Sequence, residues 1–122
     1  MTTSEYQIYL NTLLVKWVDI LDLKDWEISI QISPKKCKKN SAMAYVDDDS
    51  SIKSALITFS NFKAFNNDFE YLEKTLIHEL LHIKLALLHP SNLDTLEYKV
   101  LHQIINDLAL AFYKAHYDIQ KQ

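Results

Sequence analysis

The chain of 122 residues contains no glycine. Glycine is the residue that enters left-handed backbone without steric cost, so tight turns here must be made by Asn, Asp, Ser and Pro. Lys39-Asn40-Ser41, Asp47-Asp48-Asp49-Ser50-Ser51, Asn66-Asn67-Asp68 and Pro90-Ser91-Asn92 are the stretches that can do so. The same absence removes chemistry built on glycine. It excludes phosphate-cradling loops and the extended metal motif in which a glycine turn brings in a third histidine.

Between those turns the hydrophobic pattern predicts regular elements. Ser4 with Gln7 reads as a helix cap, and Tyr6, Tyr9, Leu10, Leu13, Leu14, Trp17, Ile20 and Leu21 follow at helical spacing as a core stripe. Trp26, Ile28, Ile30 and Ile32 alternate with polar residues, as in a strand with one buried face, and Pro34 ends it. Lys35-Lys36-Cys37-Lys38-Lys39 then reads as a solvated loop or a contact for an acidic partner. Residues 42–46 and 54–59 read as two strands of a hairpin around the acidic turn. Asn67, with Glu70 three residues on, starts a helix that nothing interrupts before Leu88, and a last helix is expected from about Asn92 to Tyr117.

This is an α+β chain of a size for a single domain, residues 1–122. A net charge of −3 and the lack of any arginine argue against a nucleic-acid partner. No run approaches the roughly 20 apolar residues of a membrane span, and the N-terminus lacks the order of a signal peptide, so the expected location is cytoplasmic. Cys37 is the only cysteine, which leaves His and carboxylate to bind any metal.

The motif that carries chemistry is His78-Glu79-Leu80-Leu81-His82. At 3.6 residues per turn the two imidazoles stack on one helical face, where they can grip one ion from the same side. Zn2+ suits such donors, and a catalytic site needs three protein ligands and an open position. Glu79 is placed to serve as general base toward a metal-activated water.

The third ligand must come from elsewhere. On a straight helix His89 lies about 10 Å beyond His82, too far to share an ion. The last helix offers Glu97 and His102. On a helical wheel Leu101, Ile104, Leu108 and Ala115 fall within about 40° of Glu97, which places that carboxylate mid-stripe, where a metal would offset its burial. Height favours His102, which in an antiparallel helical hairpin comes level with Glu79. Asp94 reads as a helix-start residue, and Tyr45, Tyr98 and Tyr113 could each donate to a developing oxyanion.

In element order, and at residue level in the two helices around the motif, the chain resembles small HExxH zinc metallopeptidase domains. These are the minimal gluzincins, the SprT-like domains and compact phage-encoded metallopeptidase-like proteins. The resemblance implies a zincin-like fold: an N-terminal helix, a small three-stranded sheet, an active-site helix and a C-terminal helix. It also implies hydrolysis of a peptide held in extended form against a rim strand, here residues 42–46, with Ala44 and Tyr45 as substrate-binding candidates. Residues 100–109 look like the final helix of the phage-type proteins, in which a Glu stands where His102 is; His at that place gives a three-His site with one negative charge fewer. The alternative is a zinc-stabilised binding or regulatory module that cleaves nothing, favoured by a closed site with a fourth ligand such as Glu97.

Overall fold

The computed structural model describes residues 2–33, 44–60, 67–92 and 94–120, and shows an α+β arrangement of three helices and a three-stranded mixed sheet. The run Lys35–Lys39, with Cys37, lies outside the described residues, as do residues 42 and 43 of the expected rim strand.

Helix α1 spans Thr3–Ile20 and buries Tyr6, Leu10, Leu13 and Trp17. Its cap is Thr2 rather than Ser4. The Thr2 hydroxyl accepts from the Glu5 backbone N–H while the Glu5 carboxylate accepts from that of Thr2, which satisfies two end donors at once. Gln7, expected to complete a cap with Ser4, donates instead to Asn11 and to the Ile30 carbonyl. Ile20 is exposed, because the helix ends there and the chain turns Leu21 and Leu23 inward.

Strands β1 (Glu27–Ser33), β2 (Ala44–Asp49) and β3 (Ser54–Ser60) lie in the order β1-β3-β2. β3 runs parallel to β1 and antiparallel to β2, whose register pairs Ala44 with Phe59 and Asp49 with Ser54. The hairpin therefore forms with a shorter turn than the sequence suggests. Asp47, Asp48 and Asp49 belong to the strand, since β2 is an edge and their carboxylates stay in water. The left-handed positions fall on Asp22, Lys53 and Asn67. Asp and Asn tolerate this geometry through local hydrogen bonding, whereas Lys53, with φ 51°, adopts it where glycine would ordinarily stand.

Helix α2 spans Phe69–Lys84, capped by Asp68, whose carboxylate accepts from the Tyr71 N–H. It stops short of Leu88: a 3₁₀ turn over Ala86–Leu88 follows, and His89 is already extended at φ −71°, ψ 126°. Proline at 90 disfavours helical backbone in the residue before it. Helix α3 spans Leu96–Gln120, and its first turn is capped by Thr95, which accepts from the Tyr98 N–H; the expected start at Asn92 is an Asx turn onto Asp94.

Helix α1 packs on β1, α2 on β2 and α1, and α3 on α2. One apolar cluster joins them, with Trp17, Ile57, Phe59, Leu72, Leu76, Leu80 and Ile105 fully enclosed. Within it Glu73 of α2 is 3% exposed and accepts from Trp17 Nε1 at 2.6 Å, Tyr117 Oη at 2.5 Å and Lys16 Nζ at 2.8 Å. Burial pushes its carboxyl up, but the three donors outweigh burial and hold it below the usual range. This network ties the far end of α3 to α1 and α2, and so fixes which face of α3 meets the motif helix. Among the described residues no helix is long and apolar enough to cross a membrane.

Candidate metal centre

His78 and His82 lie one turn apart on α2, and α3 brings His102 against both. The ring centroids are 4.8 Å apart for His78 and His82, 5.0 Å for His78 and His102, and 5.5 Å for His82 and His102. One ring nitrogen from each lies within 4.8 Å of the others, a grouping that can hold a metal ion. The Nε2 atoms of His78 and His82 face each other at 3.1 Å. Two ligands of a tetrahedral ion with Zn–N near 2.05 Å are separated by about 3.3 Å. That pair thus stands close to a tetrahedral edge without rearrangement.

The protonation of the rings suits the same role. Burial, the charge of His102 across the cluster and, against them, a hydrogen bond with Asn106 leave His78 with a pKa lowered to about 4. Burial and the neighbouring imidazoles of His78, His89 and His102 lower His82 to about 3. Both rings are neutral at pH 7 and keep lone pairs that no proton competes for. Imidazole donors and spacing together fit a divalent metal ion.

Glu79 is 6% exposed and lies at the wall of the same cleft. Burial pushes its pKa up to about 8, so without a nearby cation the carboxyl holds its proton at neutral pH. The cleft has a volume of about 920 Å3. Its other walls are β2, through Ala44, Tyr45, Val46 and Asp48, and α3, through Tyr98, His102 and Asn106.

Of the residues singled out from sequence, His78, Glu79, His82, His102, Ala44 and Tyr45 thus share one cleft. Glu97 does not join them. It is exposed, and the buried positions of α3 are Ile105 and Ala109, flanked by half-buried Leu101 and Leu108, so the core stripe is centred away from the 97 position. Of the three tyrosines, Tyr45 and Tyr98 line the cleft, the latter stacked on His102 at 5.8 Å. Tyr113 packs instead against Tyr117 and Lys74.

Two residues of the site escape sequence reasoning. His89 does not lie 10 Å away, because the helix does not continue straight; the 3₁₀ turn folds it back until its Nε2 is 2.8 Å from His82 Nδ1. Pro90 was the available signal, since it disfavours the straight helix on which the 10 Å figure depends. Asn106 follows His102 by four residues and therefore shares its helical face, which i, i+4 spacing could have indicated. Compared with known proteins, the chain matches no family model, no curated protein and no solved structure at a significant level.

Proposed function

We propose that the chain is a zinc-dependent peptidase with a zincin-like fold, in which His78, His82 and His102 hold the ion and Glu79 is the general base. The observation that carries this reading is the convergence of three imidazoles beside a buried carboxylate in a cleft edged by a strand. A zinc ion held there supplies Lewis acidity, which brings the pKa of a water near neutrality and polarises a carbonyl.

The remaining work falls to the chain. With a cation held by the three imidazoles, Glu79 would shift toward its carboxylate form and could take a proton from a water and return it to the leaving amine. Its burial raises its proton affinity against the lowering a cation would bring, which suits a group that must both accept and donate. Among the described residues the outer edge of β2 is unpaired, and it offers backbone N–H and C=O groups to an extended peptide, which would run past Tyr45 toward the histidines. Tyr45 and Tyr98 line the cleft and are the candidate donors for a developing oxyanion.

The second reading is a zinc-stabilised module without catalysis. It would need a fourth protein ligand to close the site. Glu97, its natural candidate, is exposed and outside the cluster.

Elemental mass spectrometry and cleavage of a fluorogenic peptide library test both readings. Wild type and Glu79→Gln should each carry about one zinc per chain, and His78→Ala and His102→Ala should lose it. Cleavage should fall at least about 100-fold in Glu79→Gln, the lower range for loss of a general base. A zinc-free wild type would overturn the metal site; zinc-loaded wild type that is no more active than Glu79→Gln would overturn the peptidase.

A further inference from the structure

His89 forms the middle of a short relay behind the metal cluster. Its Nδ1 is 3.1 Å from the Leu85 carbonyl and its Nε2 is 2.8 Å from His82 Nδ1. A carbonyl only accepts, so the hydrogen of a neutral His89 sits on Nδ1 and its Nε2 is an acceptor. His82 must then carry its own hydrogen on Nδ1, which leaves its Nε2, the atom facing His78, as a bare lone pair. The order is Leu85 carbonyl, His89, His82, metal position. Metal-ligating histidines are generally oriented in this way, through a partner that accepts from the other ring nitrogen.

We infer that His89 is the positioning residue of the metal site, fixing the tautomer and ring orientation of His82 through the Leu85 carbonyl without itself binding the ion. The 3₁₀ turn is what makes this possible, because it returns the ring of residue 89 to the end of the helix that bears its target. The inference rests on the metal-binding reading above but adds a role to a residue that the ligand set does not include. Compared with a carboxylate partner, a histidine orients His82 without adding negative charge to a three-His site.

Two measurements test it. Long-range 1H–15N NMR of the metal-free protein reads the tautomer of each ring, and chelator competition reads zinc affinity in wild type, His89→Ala and His89→Gln. In wild type, His82 should be held as the Nδ1–H tautomer, and in His89→Ala it should become a mixture. Zinc affinity of His89→Ala should fall about 10- to 100-fold at unchanged stoichiometry, the range for losing such a partner. His89→Gln, whose side-chain carbonyl can accept from His82, should recover most of that loss. An Nε2–H tautomer of His82 in wild type overturns the inference without any variant, so a folding defect in His89→Ala cannot shelter it. Unchanged affinity in His89→Ala also overturns it while leaving the metal site intact. If His89 were a ligand, stoichiometric binding would vanish and Gln would not restore it. A wild type that binds no zinc overturns the metal site and the positioning role together.

Discussion

The buried carboxylate of Glu79 makes the stability of the metal-free protein depend on pH in a direction that removal of its charge should abolish. Its pKa is about 8 in the fold against an ordinary 4.5, so between those values the native state holds one proton more than the unfolded chain. Stability contributed by this group is complete below pH 4.5 and is lost as pH rises toward 8, at about 1.4 kcal/mol per unit. His78 and His82 act oppositely: their pKa values fall from 6.5 to about 4 and 3, so they contribute stability above pH 6.5 that is lost on acidification. Below pH 6.5 two imidazoles outweigh one carboxyl, and above about pH 7.5 only Glu79 remains. Maximum stability should therefore lie near pH 6.5; between pH 6.5 and 8 about 1.6 kcal/mol is lost from Glu79 against about 0.8 kcal/mol still gained from the imidazoles, a net loss of about 0.8 kcal/mol. For a chain of this length that is a fall in Tm of about 3 °C. Thermal melts of chelator-treated wild type and Glu79→Gln across this window measure it. The wild-type Tm should drop while that of Glu79→Gln rises slightly, and excess zinc should remove the wild-type drop, because a cation beside Glu79 favours the carboxylate. Parallel slopes in the two metal-free proteins would refute the reasoning.

Glu73→Ala removes the shared acceptor of Trp17, Lys16 and Tyr117 and should destabilise the fold by about 3 kcal/mol, the lower range for breaking a buried ion pair, since Lys16 can still reach water. Urea denaturation reads this, and because the network sets the placement of α3, zinc affinity should fall as well. Asp68→Ala deletes the cap of the motif helix and should cost about 1 kcal/mol by the same measurement, with zinc stoichiometry unchanged.

Much of the order of elements is legible along the chain, because alternation in β1 and helical spacing in α1 and α2 report which face is buried. Element ends were less legible. Thr2 and Thr95 each turned on which of two nearby polar residues found a backbone partner, and the β2 aspartates on how far the hairpin ladder runs, which depend on coordinates rather than composition. The wheel that set Glu97 mid-stripe failed for a related reason: α3 presents both half-buried and exposed apolar residues, so hydrophobicity alone does not give the azimuth of its contact with α2.

The sequence by itself determined that His78 and His82 share a face with Glu79 beside them, since four-residue spacing on a helix leaves no other arrangement. It also determined, through the missing glycine and the single cysteine, what the site could not be. Tertiary structure alone decided that His102 rather than Glu97 meets that pair, because the rotation of α3 is set by contacts around Ile105 and by the buried carboxylate of Glu73. It also decided that His89 reaches His82, because a helix broken one turn early can return a side chain that a straight helix would carry away.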